Sequence, residues 1–182
     1  RQRQMCIRDR NKTTSPEGYG VSSDGTLNFS NDESKLYFGL ALPKIVQDTL
    51  LIEEEIVNVE VWTYNEPRLY TIQEKQLNND KKKSFKTVYH LKKDKLVQIA
   101  SKEFPDAILT EDGDENYALI SRIEPYQLSS QWTAQFSKND LAIININDGV
   151  KKLAIKGNPS SASLSPFGKY AFGYNQVDST WY

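Results

Sequence analysis

The sequence predicts an all-β fold in which short antiparallel strands recur in groups of about four. The first observation is a repeated strand-turn-strand unit, found at Phe29 to Phe38, Leu109 to Leu119 and Ser163 to Tyr174. The second is a pair of hairpin patterns that precede the last two units. The third is their spacing: the step from Leu109 to Leu164 matches one β-propeller blade of roughly 40 to 60 residues, and the longer step from Phe29 to Leu109 matches one blade plus an insertion. We therefore predict an incomplete β-propeller of about two to three four-stranded blades.

The unit from Ser163 to Tyr174 is the clearest copy. Its centre, Ser165 to Gly168, reads Ser-Pro-Phe-Gly. Proline presets φ for the second position of a tight turn, and glycine accepts conformations that other residues resist. Tyr170, Phe172 and Tyr174 then alternate with small residues, which predicts a strand with one aromatic face.

The amino-terminal part of the chain is predicted to lie outside this repeat. Residues 1–10 resemble a translated sequencing adapter, and we interpret them as foreign. They hold the only methionine, Met5, and the only cysteine, Cys6, so the rest of the chain has no disulfide or thiolate ligand. Residues 11–26 are polar and rich in turn residues, which indicates a connector. The domain then spans 27–182, and we expect a partial propeller truncated at both ends.

Three segments follow the first unit before the repeat resumes. Pro43 to Glu55 mixes apolar residues with a glutamate run, and fits a short helix or an irregular crossover equally well. Val57 to Tyr64 alternates apolar and polar residues, which predicts a strand. Leu69 to Ser84 is rich in helix formers and poor in strand formers, so we predict one short helical insertion near 69–84.

Two hairpins share one plan. Phe85 to Leu91 leads through a lysine-rich turn into Leu96 to Ala100, and Leu141 to Ile146 leads into Val150 to Ile155. The second turn contains Asp-Gly, a strong hairpin signal between apolar strands. In each repeat the hairpin is followed by a connector and then by the strand-turn-strand unit, and the separation of Val88 from Leu109 equals that of Ile143 from Leu164.

Composition and charge argue against nucleic-acid and membrane partners. The 182 residues are 38% hydrophobic and 26% charged, with a formal net charge of −1, so the chain carries no basic footprint for nucleic acid. No apolar run approaches the roughly 18 residues of a membrane span. The lysine clusters fall in or beside predicted turns, where we interpret them as solvated faces that discourage edge-to-edge pairing; they are Lys81 to Lys83, Lys92 to Lys93 and Lys151 to Lys152.

The sequence contains no complete motif for a catalytic, cofactor-binding or metal site. A Ser-His-Asp triad needs an imidazole, and the only histidine, His90, lies in a predicted strand, where we interpret it as structural. Gly20 to Asp24 approaches the nucleophile pattern Gly-x-Ser-x-Gly but lacks the final glycine. Asp112 to Asn116 resembles the start of a calcium loop, yet the later positions required for an EF-hand are occupied by Tyr117 and Ile123. We predict no catalytic, cofactor-binding or metal site in this chain.

Tryptophan and tyrosine offer the remaining functional signal. Trp62, Trp132 and Trp181, together with ten tyrosines, are compatible with a peptide-binding surface. Aromatic side chains also fill the space between packed sheets without any further function. The sequence leaves both interpretations open.

Three stretches resemble a known family. Val59 to Gln73, Asp80 to Leu91, and Ala162 to Tyr170 with Trp181 and Tyr182, together resemble the amino-terminal propeller of bacterial prolyl oligopeptidase family serine peptidases. The resemblance covers most of residues 27–182. It implies an exported enzyme, periplasmic or secreted, whose propeller shapes the access of peptide substrates to a carboxyl-terminal α/β-hydrolase domain. That domain carries the family's catalytic residues, so none is carried over here, and we expect this chain alone to be inactive. The alternative is a stand-alone propeller that binds protein or cell-envelope partners.

Overall fold

The computed structural model describes residues 15–43, 62–133 and 138–182. This part of the chain is mostly antiparallel β-sheet with two short helices, which confirms the predicted all-β class. The strands are β1 (Gly20–Val21), β2 (Asn28–Phe29), β3 (Lys35–Ala41), β4 (Phe85–His90), β5 (Lys95–Gln98), β6 (Asp106–Ile108), β7 (Tyr117–Arg122), β8 (Asn139–Asn145), β9 (Lys151–Asn158), β10 (Ala162–Leu164), β11 (Ala171–Asn175) and β12 (Thr180–Trp181). The helices are α1 (Tyr70–Lys81) and α2 (Glu124–Trp132).

Several predicted segments lie wholly or mostly outside the described residues. They are residues 1–10, the mixed segment Pro43 to Glu55 and the predicted strand Val57 to Tyr64. Of that strand only Trp62 to Tyr64 are described, and these residues belong to no strand.

The strands form three antiparallel sheets. The first sheet has the order β1-β3-β4-β5, and β2 also pairs with β3. The second sheet runs β6-β7-β8-β9 and the third β10-β11-β12, each in chain order. β1, which pairs with the end of β3, lies within the segment predicted as a connector. Each sheet is therefore a meander of hairpins, which is the arrangement that short local connections favour.

The repeated units of the sequence occupy matching places in the three sheets. The strand-turn-strand units are the pairs β2·β3, β6·β7 and β10·β11, and the two predicted hairpins are β4·β5 and β8·β9. The turn at Ser165 to Gly168 closes with a 2.8 Å hydrogen bond from the Gly168 amide to the Ser165 carbonyl. Gly168 has φ +60°, a conformation that favours glycine. The turn predicted from Ser165 to Gly168 therefore joins β10 to β11.

The second sheet packs on both of its faces. Ala118 and Ile120 of β7 join a buried cluster with Tyr37 and Val88 of the first sheet. Leu119, which lies between them in sequence, points the other way into a cluster with Ala162 of the third sheet. Alternate residues of one strand face opposite sides, so a strand buried on both sides is apolar at consecutive positions. The three sheets consequently stack face to face in chain order.

Both helices connect a second strand to a third strand within a sheet. α1 lies between β3 and β4, which confirms the helical insertion predicted near 69–84, and it has no buried residue. α2 lies between β7 and β8, so the prediction of a single helical insertion was wrong. Pro125 at the start of α2 and Glu124 in its first turn favour helix initiation. No helix in the described ranges is long and apolar enough to cross a membrane.

Candidate functional site

A cleft opens between the edge strands of the first and second sheets. It has a volume of about 430 Å³ and lies where β2 and β3 face β6 and the turn that follows it. Its lining is mixed polar and apolar, and includes Asn28, Phe29, Phe38, Ser84, Lys86, Ile108, Thr110, Glu111 and Asp112. Because clefts with a few polar groups among apolar walls are the usual ligand sites, it is the best candidate within the described residues.

Backbone contacts between two turns hold the walls of this cleft. The Asn31 amide donates to the Asp112 carbonyl at 2.9 Å, and the Asp32 amide donates to Asp114 Oδ1 at 3.0 Å. The Tyr37 hydroxyl donates to the Gly113 carbonyl at 2.6 Å. These hydrogen bonds hold the two turns against each other, so the cleft between them is largely preformed.

The pKa values of Tyr37 and Asp32, which lie at this contact between the turns, are shifted from their usual ranges. Burial, helped by the charges of Asp114 and Asp32, raises the pKa of the Tyr37 hydroxyl well above its usual range. Hydrogen bonds from Ser30 and Ser34 hold the pKa of the Asp32 carboxyl well below its usual range. Both groups therefore keep one charge state through neutral pH: Tyr37 acts as a donor and Asp32 as an acceptor.

The cleft carries opposite charges on its two walls. Lys86 of β4 lies on the first-sheet side, and the exposed carboxylates Glu111 and Asp112 lie on the second-sheet side. Asn28 and Thr110 add uncharged polar side chains to this lining. Ser84 lines the cleft, but Gly25 and Gly39 pack against it. No histidine lines the cleft, so Ser84 has no imidazole there to accept its proton.

His90 lies away from this cleft. It is buried at the end of β4, and its Nε2 is 2.8 Å from the Ile146 carbonyl of the second sheet. A carbonyl can only accept, so Nε2 carries the proton and donates it. The contact joins two sheets, which agrees with the structural interpretation made from the sequence.

The near-match to a nucleophile elbow forms a strand and a turn. Gly20 belongs to β1, and the Ser22 amide donates to the Gly39 carbonyl at 2.9 Å. The Ser22 hydroxyl accepts from the Asp24 amide at 3.1 Å. A nucleophile elbow requires a sharp strand-to-helix turn, and none begins at this place.

In the calcium-like stretch Asp112 to Asn116, the side-chain oxygens of Asp114 and Asn116 accept hydrogen bonds from the protein. Besides the Asp114 contact given above, Asn116 Oδ1 accepts from Asn147 Nδ2 at 2.9 Å. Among residues 15–43, 62–133 and 138–182, no three His, Cys, Asp or Glu side chains lie together as a metal site would need. The stretch therefore serves to join turns of the first and second sheets.

Two of the lysine clusters lie beside contacts between turns and sheets. Lys93 Nζ donates to Asn147 Oδ1 at 3.3 Å, and Lys151 Nζ lies 2.7 Å from Glu103 Oε2. The third cluster begins at Lys81, the last residue of α1, and the Lys82 and Lys83 amides donate to carbonyls of the last helical turn. All these lysines remain largely exposed, as the sequence indicated.

A buried acid that the sequence analysis did not single out fastens α2 to the second sheet. Asp140 of β8 is 1% exposed and accepts from Arg122 Nε at 2.9 Å, from the Tyr126 hydroxyl at 2.6 Å and from the Gly157 amide at 3.0 Å. Burial opposes the charge, but these donors outweigh it and hold the pKa of Asp140 below its usual value. The pKa of the Tyr126 hydroxyl is raised, chiefly because this hydroxyl donates to Asp140.

A sequence signal for this network exists. Asp140 directly precedes the apolar run of β8, and an unpaired charge in a buried strand is energetically costly. An aspartate in that position predicts a partner, but only the tertiary structure identifies Arg122 and Tyr126.

The three tryptophans all lie largely exposed. Trp62 and Trp132 flank the region where α2 meets the segment before α1, since Gln131 Nε2 donates to the carbonyls of Glu66 and Pro67. Trp181 lies in β12 against the ring of Tyr174, with 5.2 Å between ring centroids. None of them fills the space between sheets.

The chain was compared with known proteins. It matches no model of a known protein family, and no curated protein matches it. The family resemblance drawn from its residues therefore stays a prediction.

Proposed function

We propose that this chain is the noncatalytic propeller portion of a serine peptidase of the prolyl oligopeptidase family. In this proposal the stacked sheets shape the access of peptide substrates to an α/β-hydrolase domain of the same parent protein, which is exported to the periplasm or secreted. The chain itself performs no covalent chemistry.

One observation carries the proposal. Three meanders follow one another, each contains the same strand-turn-strand pair, and the first and second pack on the following sheet through corresponding faces. Blades of a propeller repeat in this way around a central axis, and each needs its neighbours to bury both faces. The separation of Val88 from Leu109, repeated at Ile143 to Leu164, supports the same interpretation at the level of residues.

The cleft provides the surface that passing peptides would contact in this proposal. It lies at the edge of the strands that begin the first and second sheets, and in a propeller the first strand of each blade borders the axis. Peptides passing there meet Lys86 on one wall and Glu111 on the other. These charges select by complementarity and do so without a nucleophile.

The first experiment reads the gene beyond Tyr182. We expect a Gly-x-Ser-x-Gly motif, then an aspartate and a histidine, within a few hundred residues or so. The whole protein should react with a fluorophosphonate probe at that serine. A continuous reading frame without the motif, or a whole protein that does not react, would contradict the proposal.

The second experiment tests the cleft in the whole protein. Reversing Lys86 to glutamate should lower kcat/KM for an acidic peptide of ten or so residues by about three- to tenfold, because a lysine on the rim attracts negative charge and a glutamate repels it. A small fluorogenic substrate, which passes without touching the walls, should be cleaved at the unchanged rate. Lys156→Glu, an exposed lysine of β9 away from the cleft, is the matched control. Equal effects on both substrates would argue against gating at this cleft.

A second candidate is a stand-alone propeller that binds protein or cell-envelope partners. The observation that favours it is the group of exposed aromatic side chains at Trp62, Tyr64 and Trp132, beside the contact between α2 and the segment before α1. Replacement of Trp62 and Trp132 by serine should abolish partner capture if this candidate is right. It should leave peptidase activity intact if the first is right.

A further inference from the structure

Lys86 places a half-buried charge without a partner on a packing face of the first sheet. It pairs across the strands with Gly39, and the next pair on the same face, Tyr37 with Val88, is buried against the second sheet. Gly39 has no side chain, and among the described residues Lys86 forms no side-chain hydrogen bond or ion pair. A charge held partly out of water without a partner is costly, so this wall of the cleft suits an anionic group.

The opposite wall of the cleft carries unpaired charge of the other sign. Glu111 and Asp112 are exposed, and neither carboxylate accepts a hydrogen bond or joins an ion pair within the described part of the chain. Other acidic groups at the same contact between turns do have partners: Asp32 accepts from the Ser30 hydroxyl at 2.7 Å, and Asp114 accepts from the Asp32 amide. The two remaining carboxylates therefore suit a cationic group.

Strand register sets the separation of these charges. Lys86 lies level with Gly39. Asp112 lies near the other end of β3, because its carbonyl accepts at 2.9 Å from the amide of Asn31, the residue after the partner of Lys35. The step from Lys35 to Gly39 rises about 13 Å, and the reach of the side chains shortens the gap between the charges to roughly 7 to 13 Å.

Two unpaired charges of opposite sign at this separation restrict the chemistry of a ligand. A phosphate or another simple anion is repelled by Glu111 and Asp112, and a polyamine is repelled by Lys86. A free amino acid carries both charges but holds them too close together to reach both walls. An extended peptide rises roughly 3.3 to 3.6 Å per residue, so about two to four residues with both ends free span the gap.

Apolar side chains complete the lining of the cleft. Phe29 is 59% exposed and Ile108 is 40% exposed, and both line the cleft with the half-buried Phe38. The volume of about 430 Å³ lies within the range of roughly 300 to 1,000 Å³ that is typical of small-ligand sites. An apolar side chain of the ligand gains affinity by covering these residues.

We propose that the cleft binds short peptides of about two to four residues whose two ends are free. The terminal carboxylate binds Lys86, the terminal ammonium binds Glu111 and Asp112, and an apolar side chain lies against Phe29 and Ile108. The site selects by length, because only a peptide of this length brings both ends to their walls. That such a peptide is a product or substrate of a peptidase rests on the proposed function, whereas its binding does not.

Peptides with blocked ends test the proposal in the unaltered chain. The probe is alanyl-4-fluorophenylalanyl-alanine, titrated with the 182-residue protein and observed by fluorine NMR. Acetylating its amino end or amidating its carboxyl end should each weaken binding about tenfold, because each removes one charge-assisted contact. Free 4-fluorophenylalanine, and a peptide of about six residues, should also bind about fivefold more weakly or worse. Binding that ignores both blocked ends, or no binding at millimolar peptide, would overturn the proposal.

Charge-neutral variants assign each end of the peptide to a wall. Lys86→Met should bind the free and the amidated tripeptide equally, while still responding to acetylation. Glu111→Gln combined with Asp112→Asn should show the converse. Lys156→Met, at an exposed lysine of β9 outside the cleft, should respond to both modifications like the unaltered chain. A Lys86→Met protein that still discriminates against the amide would show that the carboxylate binds elsewhere. The blocked peptides require no variant, so they test the site even where a variant does not fold.

The outcomes separate this site from the proposed function. The binding assay uses the chain alone and requires no hydrolase serine. If the tripeptide binds as expected while the whole protein does not react with a fluorophosphonate, the site stands and the peptidase assignment falls. If the whole protein reacts while free and blocked tripeptides bind alike, the site falls and the peptidase assignment stands.

Discussion

Gly25 and Gly39 face each other at the edge of the first sheet with no room for a side chain on either. A Cβ on Gly25 would lie 2.7 Å from the Cα of Gly39, and a Cβ on Gly39 would lie 2.9 Å from the Cα of Gly25 and 2.8 Å from Ser84 Cβ. Real Cβ atoms do not approach a backbone so closely, so the backbone at Gly25 or at Gly39 must shift to admit a methyl group. This contact sets how the amino-terminal segment lies against β3, beside the cleft.

Replacing Gly39 by alanine should therefore destabilise the first sheet. We expect the free energy of local opening of β3 and β4, measured by hydrogen exchange, to fall by about 2 kcal/mol, as overpacking does elsewhere. Gly20→Ala is the matched control, since a Cβ there meets nothing within 4 Å. Equal protection in the two variants would mean that the close approach has no energetic consequence.

Removing the charge of Asp140 should release α2. Asp140→Asn should lower the opening free energy of β8 and β9 by about 2 kcal/mol at neutral pH, because Arg122 and Tyr126 lose a charged acceptor. Asp106→Asn, at an exposed strand aspartate, should change it little. Similar losses in both variants would contradict the assignment.

The same network predicts sensitivity to acid. The pKa of Asp140 is lowered in the folded protein, so its contribution is complete above the unfolded value, about 3.9, and disappears as the pH falls through the folded value. The opening free energy of β8, obtained from exchange rates corrected for their intrinsic pH dependence, should fall below roughly pH 4 more steeply in the unaltered chain than in Asp140→Asn. Parallel pH profiles for the two proteins would exclude Asp140 as the titrating group.

The chain on its own should be catalytically silent. His90 is committed to the Ile146 carbonyl, and Ser84 has no imidazole beside it in the cleft. The purified 182-residue protein should cleave no proline-containing peptide and should not react with a fluorophosphonate above background. Labelling that disappears when one serine is replaced by alanine would reverse this conclusion.

The outward face of the third sheet should drive self-association. Tyr170 and Trp181 are 73% and 72% exposed on the face that corresponds to the packed faces of the first two sheets. Burial is worth roughly 25 cal/mol per Å², so even a modest contact between two such faces is favourable. Sedimentation velocity should show concentration-dependent association of the chain. It should be reduced in the double variant Tyr170→Ser and Trp181→Ser, but not in Val21→Ser, which alters an exposed valine of β1.

The all-β class, the hairpin pairs and the α1 insertion could be predicted from the sequence alone. These features depend on neighbouring residues: Pro166 and Gly168 specify a turn, alternation specifies a strand, and Asp148 with Gly149 closes a hairpin. Local rules of this kind act over a few residues, so these features can be recognised in the sequence without knowledge of the fold.

Which strands face which, and therefore where the cleft lies, depends on contacts between distant residues that no local pattern reveals. The partners of Asp140 are 18 and 14 positions away in sequence, and the Tyr37 hydroxyl reaches across 76 positions to Gly113. α2 was missed because its few helix formers carry little propensity of their own, and the contact of Tyr126 with Asp140 supplies the rest. The Tyr37–Gly113 contact forms only when the first and second sheets pack together, and Asp140 meets Arg122 and Tyr126 only when β7, β8 and α2 assemble. Burial of apolar surface, and not any local signal, provides the free energy of this assembly.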